Sequence, residues 1–332
     1  MQAHSSHQSS GVDQVQSSMM AWRVHEFGTP DVMRLEQVPL PEPGPGEVLV
    51  KVAAAGVGPW DGWIRAGNSA LPQPLPLTLG SDLSGEVVAL GSDVTDLPVG
   101  ALVYGVTNPR FIGSNAEYAV ASAAMLALKP ATLTHVEAAS VPVIAVTAWQ
   151  ALFDHAQLTP GQTVVIHGAA GSVGAYAVQL ARRAGLHVIA TASAQDLPFV
   201  GELGANTLID YKTQRFEDLI RDADAVIDLV GGDTQQRSFQ ILRPGGKLIS
   251  AVSNPNQQLA RKYGVEATFF LVKVTSRYLE VITTLIDGGM LRTHVGAVLP
   301  LSDARLAHLM LERMRPQPKG KIVLAVAASE LS

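Results

Sequence analysis

The sequence predicts an α/β protein built in two styles: a β-rich first part, barrel-like or sandwich, and a later parallel sheet with helices on both faces. Three observations carry this. Short strand-like runs broken by Gly and Pro fill the chain from Met19 to Val146. From about Ala145 onward, strand-like runs alternate with helical ones. Between the first such strand and the first such helix lies a run of small residues, His167-Gly168-Ala169-Ala170-Gly171-Ser172-Val173-Gly174.

In the first part, Ala21-Trp22-Arg23-Val24-His25 and Glu47-Val48-Leu49-Val50-Lys51-Val52 alternate apolar and polar residues, the period of a half-buried strand. The proline-laden Pro39-Leu40-Pro41-Glu42-Pro43-Gly44-Pro45-Gly46 between them forbids a helix or a central strand and predicts a stiff loop. Further strands are expected at residues 85–91 and 101–105. In the second part the expected strands are Thr163–His167, 187–191, 207–209, 224–228 and 247–250. Helices are expected over 173–184, closed by Gly185, over 196–203, closed by Gly204, and over 234–242, ended by Pro244-Gly245-Gly246. A last helix near 302–314 and a strand at 321–324 follow.

Composition narrows the function. The chain has 332 residues, 47% hydrophobic and 16% charged, which excludes a disordered protein and allows two domains. Lys plus Arg is 24 against 29 Asp plus Glu, so no general attraction to nucleic acid or anionic lipid is expected. The absence of cysteine excludes disulfides, thiolate nucleophiles and cysteine-ligated zinc; it fits a reducing compartment, and a cytoplasmic location is expected. No membrane span is expected. Residues 1–18 are polar and Ser/Gln-rich, which predicts a disordered tail and not a secretory signal; His4 and His7 in it are a poor metal site.

The small-residue run is a candidate phosphate cradle. A dinucleotide's pyrophosphate needs free backbone N–H groups at a helix start and small residues that let the backbone approach. Against G-x-G-x-x-G, Ala169 replaces the first glycine, while Gly171 and Gly174 are kept. An NAD site places an acid about 20 residues further on. Here that region reads Thr191-Ala192-Ser193-Ala194-Gln195, with no carboxylate before Asp196, so the expected cofactor is NADP(H). No cation follows Ser193 directly; Lys212, beside Tyr211, is the candidate source of positive charge.

Together these residues resemble the medium-chain dehydrogenase/reductase superfamily, in its zinc-free quinone oxidoreductase (ζ-crystallin-like) branch. The resemblance rests on the opening strand with Gly28, Pro41-Glu42-Pro43-Gly44-Pro45-Gly46-Glu47-Val48-Leu49-Val50, Gly80-Ser81-Asp82-Leu83-Ser84-Gly85-Glu86-Val87, the cradle, and Gly320-Lys321-Ile322-Val323-Leu324. It implies a GroES-like β-barrel catalytic domain over 19–146, completed by 290–332, around a Rossmann NADP-binding domain over 147–289. It implies a homodimer. It also implies cofactor contacts: Thr147 near the nicotinamide, Gly168, Ala170, Gly171, Ser172 and Val173 at the pyrophosphate, and Ser193 and Tyr211 at the 2′-phosphate. Val230, Gly231, Ser253, Phe270, Leu271, Val272 and Lys321 would complete the set. The zinc-containing branch has a cysteine in the region of Gly58 and a His-Glu pair at Ser81-Asp82. Those ligands are absent, so no metal is expected. Quinone reductases often carry Asn where this chain has Gly58.

The expected activity is NADPH-dependent hydride transfer to a quinone or another activated alkene, an α,β-unsaturated carbonyl. Such acceptors delocalise the developing charge and ask little of a proton donor. No side chain stands out as a general acid. Tyr104, Asp61 and Arg65 are the candidates, each with packing or pairing as the plainer reading, and His167 reads as a packed strand-end histidine. No Gly-x-Ser-x-Gly hydrolase turn surrounds the cradle. Two alternatives stand beside the main reading: a metal-free carbonyl reductase, and a slow-turnover NADPH-binding redox sensor or structural crystallin-like protein, the latter suggested by Gly58.

Overall fold

The computed structural model describes residues 17–317 and 319–331. Most of the expected tail, with His4 and His7, lies outside the described residues. Ser18, assigned above to that tail, already belongs to the first strand.

In chain order the first elements are β1 (Ser18–Val24), β2 (Arg34–Pro39), β3 (Glu47–Val57), α1 (Pro59–Arg65), β4 (Leu77–Thr78), β5 (Asp82–Leu90), β6 (Leu102–Val106), β7 (Tyr118–Ser122) and β8 (Leu126–Leu128). Then come α2 (His135–Ala139), α3 (Pro142–Trp149), β9 (Thr163–His167), α4 (Ser172–Arg183), β10 (His187–Ala192), α5 (Leu197–Glu202), β11 (Thr207–Asp210), α6 (Phe216–Leu219), β12 (Ala223–Asp228) and α7 (Gly232–Ser238). The chain closes with β13 (Leu242–Ser250), α8 (Gln257–Tyr263), β14 (Glu266–Phe269), α9 (Ser276–Asp287), β15 (Val295–Pro300), α10 (Ala304–Leu311) and β16 (Lys321–Ala325).

β1, β2 and β4 form a small sheet, and a larger sheet runs β15-β16-β3-β5-β6-β8 with β7 beside β3. β16 pairs antiparallel with β3, Ile322 opposite Val57 and Ala325 opposite Ala54. The last strand thus returns to the first part of the chain, a connection of nearly the whole sequence that local pattern cannot reveal.

The second sheet runs β11-β10-β9-β12-β13-β14, with every neighbouring pair parallel. This is the doubly wound order, and its direction reverses between β9 and β12. Helices cover both faces, so β9 carries four consecutive buried residues, Val164 to His167, and not an alternating pattern. Gly185 adopts φ +74° just past α4 and Gly204 φ +106° past α5, as expected of left-handed stops. The expected helix at 234–242 is shorter. α7 ends at Ser238, and Leu242 already pairs with Ala223. Register then jumps to Ala225 opposite Lys247, so Pro244-Gly245-Gly246 bulges out of a longer strand and does not precede it. The last helix likewise covers Ala304–Leu311 only.

Candidate active site

The reversal between β9 and β12 places two loops face to face. The turn 168–171 leaves β9 with Gly168 at φ +73°. A Cβ at Gly168 would stand 3.2 Å from Val230 of the loop after β12. Gly171 N–H donates to Gly168 O at 3.0 Å, which closes the turn. Gly171 then caps α4 with no side-chain hydrogen bond, so no side chain competes for the amides of the first turn. A Cβ at Gly174 would lie 2.2 Å from Gly168 O, so the helix packs directly on the turn. Ala169 is fully buried, and its N–H donates to Thr191 O. Alanine therefore serves where the usual fingerprint has glycine.

The opposing loop is set by Asp228, buried at the end of β12. Its carboxylate accepts from Val230 N (3.1 Å) and Gly231 N (2.8 Å) with one oxygen, and from Gln235 Nε2 and Ser250 Oγ (2.8 Å each) with the other. Gln235 also donates to Ser253 O, which fixes the loop after β13 to the same centre. Residues 270–274 are held by Gln150, whose Oε1 accepts from Lys273 N (3.1 Å) while its Nε2 donates to Lys273 O (2.9 Å). Gln150 opens a π-helical turn that extends α3. Phe270 is buried against His155, while Leu271 is exposed. Thr147, buried on α3, donates to Val143 O. Asp228 and Gln150 escaped the sequence reading; the strand-end acid was a usable signal for the first, while nothing local marks the second.

Beside the cradle lies a cavity of about 660 Å³, bordered by Ala170, Gly171 and Ser172 and by Phe199, His294 and Gly320. Ser193, at the end of β10, is buried, and its hydroxyl donates to Asp196 Oδ2 at 2.5 Å. Asp196 also pairs with Lys319. Tyr211 is exposed on the turn after β11. Lys212 turns its backbone N–H to Asp210.

A cluster of buried charges lies where α1, β5 and β16 meet. Asp82 Oδ1 accepts from Val143 N (3.1 Å) and its Oδ2 from Lys321 Nζ (2.8 Å), and both residues are nearly solvent-free. Lys321 Nζ also lies 4.1 Å over the Trp60 ring. Trp60 Nε1 donates to Ser81 Oγ at 2.9 Å. A Cβ at Gly58 would lie 2.3 Å from the Trp60 ring, so the indole fills the volume that a side chain at position 58 would take. Asp61 is fully buried; its Oδ2 accepts from Gly58 N at 2.8 Å and its Oδ1 has no partner. Burial pushes its carboxyl up to about 7, opposed by the Gly58 hydrogen bond and the Lys321 charge. Burial raises Asp82 as well, against Lys321.

The three candidate donors of the sequence reading do not converge. Tyr104 is buried, and its hydroxyl donates to Leu279 O and meets Thr283 Oγ1 on α9; burial raises its pKa further. The tyrosine ties β6 to α9 and does not face the cleft. Arg65 is a buried tie to α10, with Nε on Gly28 O, Nη1 on His308 Nδ1 (2.8 Å) and an ion pair to Glu312. Burial, and then the Arg65 charge, lower His308 to about 3, so it accepts as the neutral ring. Asp61 is a neighbour of Lys321 but belongs to the turn that starts α1. His167 is packed as expected, between Thr191 Oγ1 and Ser238 Oγ, and burial lowers it to about 4.

A family model described as "Alcohol dehydrogenase GroES-like domain" matches residues 44–131, and one described as "Zinc-binding dehydrogenase" matches 203–324. The quinone oxidoreductase of Sus scrofa is 31% identical over 88% of this chain and 94% of its own. The chain belongs to the medium-chain dehydrogenase/reductase superfamily, in its quinone oxidoreductase branch. The NADPH-dependent alkenal/one oxidoreductase of Arabidopsis thaliana is 31% identical over 93% of this chain and 80% of its own. The quinone oxidoreductase of Coxiella burnetii has a TM-score of 0.86 and 35% identity, covering 93% of this chain and all of that one.

Zinc, named by one family model, does not fit these residues. Position 58 offers no donor, Ser81 is engaged by Trp60, and Asp82 is engaged by Lys321 and Val143. Among the described residues no group of three or more His, Cys, Asp or Glu could hold a metal ion, and no helix is long and apolar enough to cross a membrane. A pyridine dinucleotide does fit. The turn 168–171 carries no side chain larger than a methyl group, and it lies at the switch point of a parallel sheet.

Proposed function

We propose that this chain is a zinc-independent oxidoreductase that uses NADPH to reduce a quinone or an α,β-unsaturated carbonyl. The observation that carries the reading is the turn of glycine and alanine at the switch point, together with a charge cluster in which Trp60 fills the space at position 58 and Lys321 engages Asp82. The names of the relatives from Sus scrofa and Arabidopsis supply the substrate classes.

Residues 168–173 would hold the pyrophosphate, Ser193 and Tyr211 the 2′-phosphate end, and Thr147, Val230, Gly231, Ser253, 270–272 and Lys321 the nicotinamide half. NADPH, when bound, supplies the hydride. The protein's share is placement and the exclusion of water. Asp228 and Gln150 hold the two rim loops at fixed positions, so little ordering remains to be done on binding. Activated acceptors spread the developing charge, which suits a site whose candidate acids are committed to structure. In this reading, 19–146 and 290–332 form one domain and 147–289 the other, the active protein is a homodimer, and it is cytoplasmic.

The test is NADPH and NADH oxidation, followed at 340 nm, against a panel of quinones, enones and simple ketones, with and without a chelator. Turnover of quinones or enones that survives chelation supports the reading. Turnover confined to ketones, or lost with the chelator, overturns it, and NADPH binding without any turnover identifies a binding protein instead. Sedimentation and cell fractionation test the dimer and the location.

A further inference from the structure

We propose that Lys319 is the cation of the 2′-phosphate subsite, delivered across the cleft and held in place by Asp196 until the phosphate arrives. The proposal rests on the NADPH reading above. The residues after Ser193 supply an acid where a dianion would have to sit: Asp196 is three positions on, and Ser193 Oγ donates to its Oδ2 at 2.5 Å. The turn is closed in the other direction too, with Asp196 N–H on Ser193 O at 2.7 Å. On its own this arrangement would repel a phosphate and occupy the serine proton.

The compensation comes from 123 residues away. Lys319 Nζ pairs with Asp196 Oδ1, the carboxylate's second oxygen. Lys319 lies two residues before Lys321, on the segment that leads into β16, while Ser193 and Asp196 follow β10 of the parallel sheet. The pair therefore joins the two halves of the molecule. Its neighbours Gly320 and Phe199 both border the cavity that begins at Ala170–Ser172 of the cradle. The cavity thus runs from the place for a pyrophosphate to residues that adjoin the pair in sequence, where the Lys319 side chain is half-exposed and Ser193 is buried.

A phosphate dianion can take over both donors from Asp196: the Lys319 ammonium and the Ser193 hydroxyl. Each new bond is charge-assisted, and the phosphate carries more charge than the carboxylate it replaces. NADH has no group that requires this exchange. Lys319 then sets the preference between the two cofactors, and Asp196 works against NADPH while keeping the site assembled without ligand.

The test is equilibrium titration by nucleotide fluorescence and calorimetry with NADPH, NADH and 2′,5′-ADP, with 5′-AMP as control, on wild type, Lys319→Met and Asp196→Asn. Lys319→Met is expected to weaken NADPH and 2′,5′-ADP about tenfold and to move NADH by less than about twofold. Asp196→Asn, which keeps a hydrogen-bond acceptor but loses the charge, is expected to tighten NADPH about threefold and leave NADH unchanged. Equal effects of Lys319→Met on both cofactors, or none on NADPH, overturn the proposal, as does weaker NADPH binding in Asp196→Asn. Wild type that binds NADH but not NADPH overturns the NADPH reading itself, a result separate from any behaviour of the variants. Thermal unfolding of each variant shows whether a lost affinity is a lost fold.

Discussion

The two walls proposed for the site are made of different materials. On the parallel-sheet side, the surface is backbone and small residues: Gly168, Ala169, Ala170 and Gly171 within one turn, backed by Gly174. On the other side, Asp61, Asp82 and Lys321 are buried, with the partly buried Trp60 ring against the Lys321 ammonium. The cradle is assembled within eight residues of sequence and offers backbone amides that no pH change alters. The charge cluster is assembled from α1, β5 and β16; Asp82 and Lys321 are tolerable because they pair with each other, while Asp61 is held by the Gly58 amide. One wall is thus insensitive to its electrostatic surroundings, and the other depends on them.

The strongest way to break this contrast is to remove one charge. Lys321→Met leaves the Asp82 carboxylate buried with only the Val143 amide as partner, which should destabilise the protein by about 3–5 kcal/mol in urea unfolding. Asp82→Asn in the same chain should recover part of that loss. A cost below about 1 kcal/mol for Lys321→Met would show that the pair does not organise this wall.

The matching change on the cradle should behave in the opposite way. Gly171 has φ −76°, a conformation open to any residue, and a Cβ there meets only Gly168 O at 3.2 Å. Gly171→Asp should therefore leave the melting temperature nearly intact. It should weaken NADPH about 100-fold, close to 3 kcal/mol, by setting a negative charge against the pyrophosphate. Unchanged affinity would place the cofactor elsewhere. Gly174→Ala sharpens the point, since its Cβ would collide with Gly168 O at 2.2 Å and should cost stability before it costs binding.

The same contrast explains what the sequence could reveal. β9, α4 and β10 were legible because a buried parallel strand, a capped helix and the small-residue turn between them are all local patterns. His167 was legible as packed because it sits inside that run. The bulge in β13 was not, because Pro244-Gly245-Gly246 ordinarily ends an element, and only pairing with β12 shows that the strand has already begun. The partners of Tyr104 and Arg65, Leu279 and His308, were not legible because they are 175 and 243 residues away. Lys319 was invisible for the same reason. Gly58 looked like a missing side chain, but Trp60 two positions on takes its volume.

The smallest expected effect tests whether the charged wall responds to pH. Asp61 in the folded protein titrates at about 7 because burial disfavours its charge; the ordinary value is 3.8. Between those values the folded chain keeps a proton that the unfolded chain has released. Asp61 therefore favours the folded state fully only below about pH 4, and that contribution is lost as the pH rises through about 7. His167 and His308, held near 4 and 3, act in the opposite sense: their contribution is present above about pH 6.5 and is lost on acidification. Asp61→Asn separates the two. Its amide oxygen can still accept from Gly58 N, Lys321 and Asp82 are untouched, and both histidines remain. The variant should match wild type near pH 4 and exceed its stability by about 2 kcal/mol at pH 8. This is less than the full ~4 kcal/mol such a shift would give, because relaxation around the site softens it. Urea unfolding across that range decides it, and a gap that stays constant with pH would mean that Asp61 does not carry the proton.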